Sequence, residues 1–201
     1  MSVVIQDRLL RRRVVTTVLG PAAIVGVGCL LLVGRLRLDA VAPGARLTLV
    51  ALIFASLLGA SLLVGPTPAR RHTMSPDTWL PRSAVLVVGL LGVTAAAVVA
   101  GTPVPLPSGA ATLPLSLLAA VAEEALFRRT AFSALERFGA SAAVVGTALI
   151  FAAVHLPLYG VSAFPVDLGA GLLFGWQRAA SGTWTVPAAT HAAANVVAVL
   201  R

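Results

Sequence analysis

Residues 14–34 read VVTTVLGPAAIVGVGCLLLVG, a run of 21 residues without Asp, Glu, Arg or His. A helix of about 20 apolar residues is long enough to cross the roughly 30 Å hydrocarbon core of a bilayer. Residues 47–65 and 83–101 form two more runs of the same kind. These three stretches predict membrane-spanning helices in the first half of the chain.

Four further apolar stretches occupy the second half of the chain: 112–138, 140–158, 166–180 and 184–200. The first of them differs from all the others because it contains Glu123, Glu124, Arg128 and Arg129. We therefore predict an all-α fold, a polytopic transmembrane helical bundle of about seven spans.

The composition excludes several other classes of protein. The chain is 58% hydrophobic and only 11% charged, whereas a soluble globular domain is about a quarter charged. Its single cysteine, Cys29, permits neither an internal disulfide nor a thiolate metal site. The net charge of +8 comes from arginines that are mostly scattered between apolar runs, which is typical of membrane topology and not of nucleic-acid binding.

The arginines also predict an orientation. With the N-terminus in the cytoplasm and seven spans, eleven of the fifteen basic residues lie on the cytoplasmic side. The four on the other side are Arg35, Arg37, Arg46 and Arg201. The positive-inside rule therefore favours a cytoplasmic N-terminus and an external C-terminus.

Polar side chains that are rare inside membrane spans occur at three places in the second half of the chain. Each place is a pair of residues four apart, which puts both on one face of a helix. The pairs are Glu124 with Arg128, Phe151 with His155, and His191 with Asn195. An ionisable group inside a span costs roughly 2.5–3.5 kcal/mol on insertion, so such groups indicate a functional site by default.

Glu123 and Glu124 are adjacent and therefore point about 100° apart around their helix. Arg128 lies one turn beyond Glu124 and can neutralise it, which leaves Glu123 without an ionic partner in its own helix. A carboxylate of this kind in a poorly hydrated site is suited to act as a general base.

Taken singly, these residues have simpler explanations: a solvated interfacial helix for the two glutamates, packing for His155, and interhelical hydrogen bonds for His191 and Asn195. Their joint presence in one half of the chain favours a polar cavity within the bilayer. There, a water held by Glu123 and His155 would attack a carbonyl while His191 and Asn195 stabilise the oxyanion. A zinc ion bound by Glu123, His155 and His191 is the open alternative, although the HExxH motif of zinc proteases is absent.

The three pairs fall within motifs that resemble one known family. EExxxR spans 123–128, FxxxH spans 151–155 and HxxxN spans 191–195. This order resembles the CAAX-protease and bacteriocin-processing family of intramembrane proteases, also called the Abi or type II CAAX prenyl endopeptidase family. The resemblance extends over about 113–200 and includes the glycine-rich stretch before the last motif.

The resemblance implies an intramembrane endopeptidase, glutamate- or metal-dependent, with residues 1–110 as a scaffold of three spans and 111–201 as the catalytic core. Glu123, His155, His191 and Asn195 would be catalytic, and Glu124, Arg128 and Phe151 would support them. Zinc is the one cofactor that this reading leaves open. The expected partners are a membrane-associated peptide or protein substrate and the lipid bilayer, with no nucleic acid, and the expected location is the cell membrane as a multi-pass protein.

Two other functions stay open at this point. Glu and His side chains within spans also serve as proton relays in coupled transporters, but no internal repeat is visible here, as many transporters have. A non-catalytic immunity or partner-binding protein on the same fold is the other alternative. Asp167, near the start of a span, is expected to be an N-terminal cap or helix-dipole residue.

Overall fold

The computed structural model of the protein describes residues 19–64, 80–99 and 112–200. These residues are almost entirely helical and include no β-strand, which confirms the predicted all-α fold. The α-helices are α1 (Gly20–Gly34), α2 (Pro43–Leu63), α3 (Arg82–Val99), α4 (Thr112–Glu124), α5 (Phe132–Leu135), α6 (Ala140–Tyr159), α7 (Phe164–Ser181) and α8 (Thr185–Leu200). A π-helix (Ala125–Ala131) joins α4 to α5, and short 3-10 helices cover Arg35–Ala40, Glu136–Phe138 and Val161–Ala163.

Each of the seven predicted spans contains one long helix. Residues 14–18 of the first span, and the last residues of the second and third, lie outside the described residues. By length and composition, three described stretches could cross a membrane: Gly20–Leu38, Pro43–Leu63 and Ala140–Tyr159. Arg82–Val98 and Thr185–Leu200 are shorter apolar helices. The chain is a helical membrane protein, and the count of about seven spans stays a prediction.

Proline and glycine set the helix boundaries. Three helices have a proline in their first turn: Pro21, Pro43 and Pro165. The N–H that proline lacks would have no partner within the helix at this position. Gly139 and Gly160 flank α6 with φ of 105° and 79°, values that side chains with a Cβ rarely adopt. These two glycines separate α6 from its neighbours and allow the chain to reverse direction.

The two parts of the chain share one buried apolar cluster. Leu32 of α1 and two α2 residues pack against five residues of the second half: the α2 residues are Phe54 and Leu57, and the others are Ala122, Leu126, Phe127, Phe151 and Val154. Arg129 adds a polar link, because its guanidinium donates hydrogen bonds to the carbonyls of Ser61 and Val64 at the end of α2. Carbonyls at a helix C-terminus lack partners within the helix, so Arg129 holds α2 against the π-helix.

Helices α6 and α7 approach closely through two glycines. A Cβ on Gly171 would lie 2.9 Å from the Cα of Ala148, and a Cβ on Gly175 would lie 3.2 Å from the Cα of Val144. Glycines four residues apart permit this close backbone contact between helices. The contact also brings the Gly171 carbonyl within 3.0 Å of Arg128 Nη2.

We predict opposite effects for two glycine substitutions on α7. Gly171→Ala places a methyl group against the α6 backbone and should destabilise the fold by about 1–3 kcal/mol, as overpacking does. Gly169→Ala is the matched control, because no atom lies within 4 Å of the added Cβ; it should be neutral or stabilising by up to about 1 kcal/mol. Thermal unfolding in detergent measures both, and equal midpoints for the two variants would contradict the packing described.

Candidate functional site

The first two motif residues lie where α4 becomes a π-helix. The sequence predicted one regular helix through 112–138, but Ala125–Ala131 has the wider π register. Thr130 Oγ1 donates to the carbonyl of Ala125, five residues earlier, at 3.2 Å. Such π segments inside α-helices occur frequently at functional sites, and hydrophobic periodicity does not reveal them.

Glu124 and Arg128 form a fully buried ion pair. Arg128 Nη1 lies 3.0 Å from Glu124 Oε1, and both side chains have no exposed surface. The same carboxylate oxygen lies 3.0 Å from His191 Nδ1, which comes from α8. Because Arg128 Nη2 also donates to Gly171 of α7, this one network joins the α4/π-helix segment, α7 and α8.

Three phenylalanine rings surround the Arg128 guanidinium. Its central carbon lies 4.7 Å from the ring centre of Phe151, 5.3 Å from that of Phe174 and 5.8 Å from that of Phe127. The negative face of an aromatic ring attracts a cation at such distances. The rings therefore replace part of the hydration that the buried cation has lost.

Glu123 points away from this network and into a cavity, as the 100° divergence predicted. Its side chain is nearly buried, and its two oxygens have different neighbours. Oε2 lies 3.7 Å from His155 Nε2, and Oε1 lies 3.8 Å from Arg35 Nη1. Both gaps are longer than a direct hydrogen bond of about 2.7–3.2 Å, so neither pair is directly bonded and a small molecule beside the pair can contact both partners.

His155 is held in one orientation by its own helix. Its Nδ1 lies 2.7 Å from the carbonyl oxygen of Phe151, and because a carbonyl only accepts, Nδ1 carries the proton. The ring packs between Phe151, at 4.4 Å between centroids, and Tyr159, at 5.7 Å and nearly parallel. In the neutral imidazole, Nε2 is therefore an acceptor that faces Glu123.

His191 and Asn195 line the same cavity, but Asn195 also bonds to the backbone of α4, which the sequence did not predict. The His191 ring stacks on Phe174 at 5.0 Å, and its Nδ1 is engaged with Glu124. Asn195 Nδ2 donates to the backbone carbonyl of Ser116 at 2.9 Å. One amide hydrogen of Asn195 thus ties α8 to α4, and the amide has a second hydrogen to donate.

The cavity has a volume of about 630 Å³ and brings together all four predicted catalytic residues: Glu123, His155, His191 and Asn195. Apolar side chains from α2 and α4, including Leu47, Val50 and Leu115, form much of the remaining wall. Arg35 and Arg46 also line it. The lining comes from the 3-10 helix after α1, the first part of α2, one face of α4, the end of α6 and the middle of α8.

Sequence reasoning did not find every residue near the site. In the sequence, Arg35 contributes only to the predicted membrane orientation, and no sequence signal links it to Glu123. Asp167 was expected to be a helix cap or dipole residue. It does lie in the first turn of α7, but the cap position is Ala163, which makes no side-chain cap bond. Its Oδ2 is buried without a hydrogen-bond partner, and the carboxylate interacts electrostatically with Glu123, His155 and His191.

The geometry does not form a preassembled metal centre. Within 19–64, 80–99 and 112–200, no three His, Cys, Asp or Glu side chains gather closely enough to hold a metal ion. Glu123 and His155 face each other, and the Nδ1 atoms of His155 and His191 are engaged by the Phe151 carbonyl and by Glu124. Their Nε2 atoms stay available to a ligand, as in metal-binding histidines whose second ring nitrogen is hydrogen-bonded, so zinc at this place stays a prediction.

The C-terminal part of the chain matches one protein-family model, described as type II CAAX prenyl endopeptidase Rce1-like, over residues 105–197. The matched segment contains the three motifs, and α1, α2, α3 and Arg35 lie before it. No curated protein and no solved structure matches the chain.

We predict that the two adjacent glutamates differ sharply in their effect on stability. Glu124→Gln leaves the buried Arg128 cation without its counterion, and breaking a buried pair in this way costs about 3–5 kcal/mol. Glu123→Gln is the matched control, because Glu123 faces the cavity, and its cost should be much smaller. Thermal unfolding of both purified variants measures the difference. Equal destabilisation would contradict the division between a structural and a cavity-facing carboxylate.

Proposed function

We propose that the protein is an intramembrane endopeptidase whose nucleophile is a water activated by Glu123 and His155. Residues 105–197, just under half of the chain, match the model of the Rce1-like family of type II CAAX prenyl endopeptidases. The family is one of proteases, and the match confirms the resemblance predicted from the three motifs. One observation carries the mechanism: inside the cavity, Glu123 Oε2 and His155 Nε2 face each other at a distance of 3.7 Å.

Two acceptors that face each other are suited to hold one water. With His155 neutral and protonated on Nδ1, its Nε2 and the Glu123 carboxylate both accept hydrogen bonds. A water on the cavity side of both acceptors donates one hydrogen to each and leaves an oxygen lone pair directed into the cavity. That lone pair is the nucleophile of the proposed reaction.

The proposed chemistry has two steps. In the first, the water oxygen bonds to the carbonyl carbon of the peptide, the water proton moves to Glu123, and the π electrons of the carbonyl move to its oxygen. In the second, the carbon–nitrogen bond breaks as the oxyanion re-forms the carbonyl. The proton on Glu123 passes to the leaving amine, so Glu123 acts first as base and then as acid.

His191 and Asn195 are the proposed donors to the oxyanion. Nδ1 of His191 gives its hydrogen to Glu124, so its Nε2 donates to the oxyanion in the imidazolium form. Asn195 retains one amide hydrogen beyond its bond to Ser116. Loss of one such donor typically lowers the rate about 10²- to 10³-fold. Glu124, Arg128 and Phe151 act on this step through position, because they fix His191 and His155.

No step in this scheme passes through a metal, and zinc bound by Glu123, His155 and His191 stays the alternative predicted from the sequence. The apolar character of the cavity walls favours one class of substrate. Apolar residues such as Leu47 and Phe54 surround the polar centre, which suits a membrane-associated peptide or protein segment that enters from the bilayer. We propose the cell membrane as the location of this multi-pass chain.

The arginine distribution supports an external opening of the cavity. Arg37 follows α1 near the cavity, whereas Arg137 lies beside Pro21 at the other end of α1. With the N-terminus in the cytoplasm, the Arg37 end faces outward.

We predict a labelling pattern that tests this orientation. In a Cys29→Ser background, Arg37→Cys should react with a membrane-impermeant maleimide in intact cells, and Arg137→Cys should react only after the membrane is opened. Both arginines are exposed in the fold, so accessibility within the protein is matched. The reverse labelling pattern would show that the cavity opens to the cytoplasm.

The proposed activity is tested with purified protein in liposomes and a peptide panel that includes a prenylated CAAX peptide, read by mass spectrometry. We predict that Glu123→Gln, and separately His155→Gln, reduce cleavage at least about 10³-fold because an amide in place of either group is too weakly basic to draw a proton from the water. Thermal midpoints close to that of the wild type serve as the folding control. Full cleavage by a folded Glu123→Gln protein would refute the assignment, as would substrate uptake without cleavage.

A further inference from the structure

Arg35 brings a cation to the cavity from outside the matched segment. It begins the 3-10 helix after α1, and its side chain is only 15% exposed. Its Nη1 lies 3.8 Å from Glu123 Oε1, and its central carbon lies 5.2 Å from the ring centre of Phe54. The ring and the carboxylate thus hold the guanidinium at the wall of the cavity.

The distance to Glu123 leaves this cation with donor capacity for another ligand. A direct charged hydrogen bond between nitrogen and oxygen is about 2.7–2.9 Å long, and the separation here is 3.8 Å. A guanidinium has five N–H donors, and an aromatic ring satisfies it by electrostatic attraction without accepting a strong hydrogen bond. A substrate oxygen next to Glu123 is therefore within reach of Arg35.

Charge balance during the proposed reaction gives this cation a role. Before the water attacks, the Glu123 carboxylate and the Arg35 guanidinium neutralise each other. When Glu123 takes the proton of the water, its charge disappears and one negative charge appears on the carbonyl oxygen. A buried cation without a counterion is costly, so the oxyanion is the natural new partner for Arg35.

We propose that Arg35 is a catalytic residue whose counterion changes from Glu123 to the oxyanion of the tetrahedral intermediate. This inference rests on the proposed function. The total charge of the site stays constant throughout the step, and no group other than water and the peptide is consumed. Asn195 supplies a neutral hydrogen bond to the same oxygen and the charge of His191 is shared with Glu124, whereas Arg35 supplies the charge that Glu123 no longer balances.

The test compares Arg35→Gln, Arg35→Lys and Arg35→Ala with a matched control, Arg37→Gln, which removes an exposed arginine from the same 3-10 helix. The probe is the peptide cleaved best by the wild type. We expect Arg35→Gln to lower kcat about 10²-fold, as loss of an oxyanion contact does, with KM nearly unchanged. Arg35→Lys should retain at least about a tenth of kcat because it keeps the positive charge, and Arg37→Gln should match the wild type.

Chemical rescue separates a catalytic role from a structural one. Millimolar guanidinium ion should raise the kcat of Arg35→Ala several-fold and leave Arg37→Gln unchanged, because only the first variant has space for the ion beside Glu123. A folded Arg35→Gln protein with wild-type kcat, or a defect confined to KM, would overturn the inference. So would absence of rescue together with an inactive, folded Arg35→Lys protein.

The results distinguish failure of the role of Arg35 from failure of the proposed protease function. Cleavage by the wild type that is lost in Glu123→Gln but unaffected in Arg35→Gln would leave the protease assignment intact and remove only the role of Arg35. Full cleavage by Glu123→Gln would remove both.

Discussion

The buried contact between Glu124, Arg128 and His191 is the constraint on which the site depends. Two ionised groups without exposed surface persist only when they neutralise each other. Here the carboxylate accepts from Arg128 and His191, and the guanidinium also donates to Gly171 of the neighbouring helix. Because each partner comes from a different helix, the network fixes where α7 and α8 lie relative to the π-helix.

This constraint gives two adjacent carboxylates separate functions. Glu124 lies in the packed interior, where Arg128 is its counterion. Glu123, one residue earlier, points into the cavity toward His155 and Arg35 at distances that leave room for a third group. The buried network therefore positions the side chains that face the cavity. Phe151 connects the two, since it packs against the Arg128 guanidinium and also against the His155 ring.

Much of this arrangement follows from local sequence spacing, and the rest depends on contacts between distant residues. Residues four apart on a helix share a face, so the pairing of Glu124 with Arg128 and the divergence of Glu123 were predictable. The place of Arg35 was not, because an arginine after an apolar span has the same appearance whether it faces water or a cavity. The π register and the bond from Asn195 to the Ser116 carbonyl likewise depend on packing between helices, which a single sequence does not encode locally.

The central claim is that a water molecule, and not a protein side chain, attacks the peptide. A single-turnover reaction in water enriched in oxygen-18, with enzyme in excess over peptide and the products analysed by mass spectrometry, tests it most directly. The account predicts one heavy oxygen in the new carboxylate of the cleaved peptide and none in the protein. Heavy oxygen in the Glu123 side chain, with unlabelled peptide product after the first turnover, would show that the carboxylate itself attacks and would contradict the account.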